Sequence, residues 1–312
     1  MFIQQAVNGE NQFWKYLLGS VVVIAASFIG QLPLIVALLF KSFSTGDAFP
    51  TSNEQVTKYL DSNLTLFLLL LSFVFALVAL FGWQRVIHKQ SIINLTTSRK
   101  KIDWSRIFFA FLVWAAFLLI VTAADYLMEP ENYQVNFQLV PFLILAVIAI
   151  IMIPIQTSTE EYIFRGYLMQ GFGILSGNKW FPLLMTSLIF GLMHIANPEV
   201  SKMGYIIMIY YIGTGLFLGI LTLMDEGIEL SLGFHAANNL VSALLITSDW
   251  SAFQTNSILR DLSTPTAGFD VILPVFVIFP ILLFIFSKKY GWTSWSEKLF
   301  GKIKLKNDDD NY

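Results

Sequence analysis

The chain has 312 residues, 56% hydrophobic and 13% charged, with a formal net charge of −2. Soluble domains carry about twice that share of charge, so a water-facing globule is excluded and a polytopic membrane protein is indicated. The absence of cysteine excludes disulfides, thiolate catalysis and cysteine-held metals.

The N-terminus lacks the short basic region and small-residue cleavage site of a secretory signal. Its first apolar run, 16–40, is long enough to stay in the bilayer as a retained helix. Seven more candidate spans follow at 64–83, 107–124, 139–157, 181–197, 203–224, 230–247 and 271–287. The predicted fold is an all-α, polytopic transmembrane helix bundle of about eight spans, one domain over 1–312. Pro274 and Pro280 in the last run are tolerated as kinks. The terminal "KNDDDNY" reads as a solvated, disordered end.

Fifteen of the 19 Lys and Arg fall on alternate connecting segments. Six lie in 84–106 and six in 288–312, with Lys15, Arg165 and Lys179 on the same side. The opposite side holds Lys41, Lys58, Lys202 and Arg260. The positive-inside rule then puts both termini in the cytoplasm of a cell-membrane protein, with Asp125, Glu129 and Glu131 outward. The "SRKK" cluster at 98–101 reads as an orientation anchor rather than a lipid or nucleic-acid site.

Ionisable groups at membrane depth are costly and mark functional sites by default. Glu160, Glu161, Arg165, His194 and His235 are such groups, with Asn238 and Asn239 beside the last. If "TSTEEYIFRG" is helical, Glu161 and Arg165 share a face four residues apart, acid before base, and neutralise each other. Glu160 lies about 100° round the helix and is the less committed carboxylate, suited to act as a general base. The same residues also fit a plain helix-end salt bridge. In "FGLMH", His194 suits either packing or catalysis, and Phe190 sits one turn back on its face. In "HAANN", His235 and Asn239 share a face and could hold a developing oxyanion. Asn238 points elsewhere, as for a hydrogen bond between helices. His88, in the basic loop, is expected to have no special role.

These three stretches, in this order, carry a resemblance. "EEYIFR" fits Glu-Glu-x-x-x-Arg, "FGLMH" fits Phe-x-x-x-His and "HAANN" fits His-x-x-x-Asn. The chain thereby resembles the CPBP intramembrane proteases, which include the type II CAAX prenyl endopeptidases and bacterial abortive-infection proteins. The resemblance covers about 150–245, which would be the catalytic core. It implies hydrolysis of a peptide bond in the membrane: Glu160 with His194 activating water, His235 and Asn239 stabilising the oxyanion, Glu161 and Arg165 positioning the first motif. It also implies a membrane-embedded or lipid-anchored protein or peptide as substrate, with no nucleic-acid partner.

Such chemistry needs a wetted intramembrane cavity, expected to be conical, open to the cytoplasm, with a side gap toward lipid. No His-Glu-x-x-His is present. Glu160, His194 and His235 could still hold zinc, but the resemblance favours no cofactor. A proton-coupled transporter or a non-catalytic adaptor would be the alternatives. Helix four is expected to continue past 157 to about 170, burying Glu160 at the depth His194 reaches.

Overall fold

The computed structural model describes residues 1–265 and 268–303; the "KNDDDNY" segment lies outside them. Among the described residues, six helices are long and apolar enough to cross a bilayer: α1 (Phe13–Thr45), α2 (Ser62–Val86), α3 (Trp104–Met128), α4 (Leu139–Ser176), α6 (Ile207–Asp225) and α8 (Val271–Tyr290). Two shorter helices complete the bundle, α5 (Trp180–Met193) and α7 (Glu229–Leu245). The expected helix bundle therefore stands. Of its eight candidate spans, the fifth and seventh correspond to helices of 14 and 17 residues, and α7 carries a polar face.

Local signals set the ends. Asp61 caps α2 by accepting from Asn63 and Leu64 N–H, and Asp103 caps α3 through Ser105 N–H. Gly46, Gly177 and Gly291 close α1, α4 and α8 in the left-handed conformation. The expected sixth span, 203–224, instead begins at Ile207, because a separate turn of helix, Pro198–Met203, ends at Gly204.

The all-α expectation needs one local amendment. Among the described residues, three strands of three residues each, β1 (Tyr133–Val135), β2 (Ile246–Ser248) and β3 (Leu259–Asp261), form a small sheet in the order β1-β3-β2. β1 and β3 are antiparallel, β2 and β3 parallel. The sheet joins loops at one end of the bundle, where exposed backbone needs partners.

Lipid offers no hydrophobic drive between helices, so close backbone approach does much of the packing. A Cβ on Gly215 would lie 2.8 Å from the Ser187 carbonyl oxygen, so α6 and α5 touch there. Gly233 likewise lets α7 sit against the Ile107 carbonyl of α3. A core of Trp114, Phe217, Phe234 and Phe279 binds α3, α6, α7 and α8.

At the other end, charge ties the loops together. Arg99 reaches Asp225 at 3.1 Å and Glu229 at 3.2 Å, and Arg106 reaches Asp225 at 2.5 Å. Trp292 Nε1 also donates to Asp225. The "SRKK" segment is thus more than an anchor: Arg99 holds the α6–α7 turn, while Lys100 and Lys101 are exposed. His88 is also more than a loop residue. It is fully buried, with Nδ1 on the Glu10 carbonyl and Nε2 at 3.1 Å from the Tyr167 hydroxyl.

Candidate functional site

α4 does continue past 157, as expected, and reaches Ser176. Its α-helical part ends at Glu161; Tyr162–Leu168 is a π-helical turn, and Met169–Ser176 is α-helical again. Wide turns of this kind are rare and frequently occur at functional sites. Glu160 lies 16 residues before Ser176 and His194 14 residues after Trp180. At the usual rise these are about 24 and 21 Å from the same inter-helix turn. The two motifs therefore reach similar depth. His194 itself caps the end of α5 rather than sitting inside it.

Glu161 is the junction of the polar centre. Its Oε1 accepts from Arg165 Nη1 at 2.9 Å and from His235 Nδ1 at 2.7 Å. Both members of the acid–arginine pair are fully buried. The guanidinium donates further to the Gly215 carbonyl at 3.2 Å and lies 4.3 Å from the centre of the Phe190 ring. The Glu161–Arg165 pairing is as the spacing predicts; the bond to His235 is an addition that links the first motif to the third.

With Nδ1 engaged, His235 turns Nε2 toward Glu160 Oε2, 3.7 Å away. Glu160 Oε1 accepts from Gln156 Nε2 at 2.6 Å, and Oε2 is buried without a protein hydrogen-bond partner. Gln156 in turn accepts from Asn239 Nδ2 at 3.0 Å. Sequence reasoning missed Gln156. The available signal is an amide inside the run "IMIPIQTST", one helical turn before Glu160. Asn238 accepts from Trp114 Nε1 at 3.1 Å, the hydrogen bond between helices expected of it, and donates to Asn239 Oδ1 at 3.0 Å.

Phe190 separates the two imidazoles. Its ring is 4.8 Å from that of His194 and 6.0 Å from that of His235. His194 Nδ1 contacts the Phe190 carbonyl at 2.7 Å, and its ring stacks on Tyr211 at 4.5 Å. Nε2 is then the ring nitrogen left for chemistry. The structure thus joins Glu160, Glu161, Arg165, His235 and Asn239 through hydrogen bonds and close ion contacts. It sets His194 alongside, across an aromatic ring.

Among the described residues no three His, Cys, Asp or Glu are grouped to hold a metal ion. Glu160, His194 and His235 are accordingly not drawn together as one such group. A pocket of about 520 Å³ opens beside Phe49, Pro50 and Tyr59, and its lining includes none of the motif residues.

The many-helix membrane bundle thus gathers paired glutamates, an arginine, two histidines and an asparagine from α4, α5 and α7. A family model, type II CAAX prenyl endopeptidase Rce1-like, matches residues 137–241, the stretch that carries all three motifs. An uncharacterized protein, YyaK, of Bacillus subtilis (strain 168) is 31% identical over 248 residues, covering 79% of this chain and 82% of that protein. The chain belongs to the Rce1-like family of CAAX-type intramembrane proteases, and it is a multi-pass membrane protein. No solved structure matches it.

Proposed function

We propose that this chain is an endopeptidase that cleaves a membrane-embedded or lipid-anchored protein or peptide, using Glu160 to activate water. The observation that carries the reading is the Glu160 carboxylate. One oxygen is fixed by Gln156; the other is buried, has no protein partner, and faces His235 Nε2 at 3.7 Å. A carboxylate in that setting can take a proton from water held beside it. Glu161 and Arg165 neutralise each other, so they position the centre rather than react. By bonding Glu161, His235 is fixed in orientation with Nε2 turned toward Glu160. The His235 imidazole and the Asn239 amide are the groups a tetrahedral oxyanion would use. His194, level with Glu160 along the neighbouring helix, would share the water through Nε2.

This mechanism needs no cofactor. It requires a water-filled approach, which we place on the cytoplasmic side. An even number of crossings would keep both termini on one side, and the excess of Lys and Arg on that side supports a cytoplasmic placement.

The test is cleavage of a membrane-anchored reporter by purified protein in liposomes. Wild type should cleave it in the presence of a strong chelator. Glu160→Ala and His194→Ala should fold and lose cleavage by at least about 100-fold. Normal processing by both variants would end the reading, and loss of wild-type activity with chelator, restored by zinc, would end its cofactor-free form.

A further inference from the structure

Four hydrogen bonds run in one sense from α3 to the Glu160 carboxylate. Trp114 Nε1 donates to Asn238 Oδ1 at 3.1 Å, and Asn238 Nδ2 donates to Asn239 Oδ1 at 3.0 Å. Asn239 Nδ2 donates to Gln156 Oε1 at 3.0 Å, and Gln156 Nε2 donates to Glu160 Oε1 at 2.6 Å. Trp114 and Gln156 are both buried, at 3% exposure. We propose that this chain of three amides orients the Glu160 carboxylate and the Asn239 amide for the reaction, with Trp114 and Gln156 as positioning residues. The inference rests on the protease reading for its consequence, though not for its geometry.

Chemistry at the two ends fixes the direction. An indole N–H can only donate, and an ionised carboxylate can only accept. Each amide between them carries one accepting oxygen and one donating nitrogen. Turning over any one amide would set N–H against N–H at one joint and oxygen against oxygen at the other. The chain therefore has one allowed polarity, and each bond polarises the next in a low-dielectric interior.

Two results follow at the reaction centre. Glu160 is held by Oε1, so Oε2 is the oxygen presented toward His235. Asn239 spends one N–H on Gln156, and its second N–H is the donor left for the reaction. Hydrogen bonds between membrane helices add little net stability. A continuous chain ending on the least committed carboxylate serves orientation instead. Trp114 does this from a helix that bears none of the three motifs.

The test uses full-length protein labelled with 15N-tryptophan in detergent micelles, with Trp114→Phe identifying the Trp114 indole N–H resonance. Gln156→Met interrupts the chain, and Glu160→Gln replaces its charged acceptor with a neutral one; both should move that resonance. In reporter cleavage, Gln156→Met should lower kcat about 100-fold and Trp114→Phe about tenfold, each with KM unchanged. The double variant should be no worse than Gln156→Met alone, because one chain is broken once. A resonance unmoved by either change overturns the proposal, as does a multiplied loss of about 1,000-fold in the double variant. If Gln156→Met does not fold, the resonance in Glu160→Gln decides. A resonance that moves while wild type cleaves nothing removes the protease reading and leaves the chain of bonds standing.

Discussion

Replacing Arg165 by methionine removes the guanidinium that faces Glu161 in the middle of the bundle. Both side chains are fully buried, and Glu161 would be left with His235 as its one bonded neighbour on Oε1. Breaking a buried pair by deleting one partner costs about 3–5 kcal/mol. Loss of the contact with the Phe190 ring, 4.3 Å from the guanidinium, adds up to about 2 kcal/mol. The flexible thioether refills part of the volume and regains some of this. A net loss of about 4 kcal/mol is expected, close to a thousand-fold in the folding equilibrium. Unfolding in SDS, followed by far-UV circular dichroism on purified protein, reads it directly. Arg165→Lys should fall between, since an ammonium can reach Glu161 but cannot also span to the Gly215 carbonyl. Combining Glu161→Gln with Arg165→Met should recover most of the stability, because no charge is then stranded. It should not recover cleavage, because His235 loses its anionic acceptor. An Arg165→Met protein within about 1 kcal/mol of wild type would refute the reasoning that this guanidinium is the buried counter-charge.

Burial, helped by the charge of Lys15, holds the His88 imidazole below its ordinary pKa, against the opposing pull of the Glu10 carbonyl. The unfolded chain therefore binds that proton first. The stability from neutral His88 is full above about pH 6.5 and is lost as pH falls below it. His88→Gln should flatten the difference in unfolding midpoint between about pH 7.5 and 5.5. Asp225→Ala removes a partner of both Arg99, which keeps Glu229, and Arg106, which keeps Asp103, at the C-terminal end of α6, and should cost about 2 kcal/mol in the same SDS titration. The chain has no cysteine, so Lys100→Cys and Glu131→Cys are clean topology probes. A membrane-impermeant maleimide added to intact cells should label the second and spare the first; the reverse pattern would invert the orientation.

The polar centre was largely legible because charge is rare in this chain and each motif residue stands out against apolar neighbours. Spacing alone paired Glu161 with Arg165, and the depth that His194 must reach required α4 to run on. Gln156 and Trp114 escaped notice for a physical reason. An amide and an indole are affordable inside a membrane helix, so neither signals itself as a buried charge does. Their parts emerge only from contacts between residues 83 and 124 positions apart. The same holds for Arg99, whose partners lie 126 and 130 residues away. Composition showed a basic cluster, and only the fold shows that one member faces inward. The three-residue strands are too short for any alternation to be read, and His194 at a helix end rather than within it depends on where α5 stops.

The wide turn at Tyr162–Leu168 divides one long helix into two halves with different obligations. The half that ends at Glu161 is pinned to α2 and α7, through Thr159 on the Phe73 carbonyl and Glu161 on His235. The other half packs against the N-terminal segment and the loop after α2, with Gly173 against Ile3 and Gln170 on the Asn94 carbonyl. A uniform helix would lock the angular phase of both halves together. The looser winding lets each settle its own rotation, so sequence drift at the membrane-edge end can be absorbed there without turning the carboxylates away from their partners.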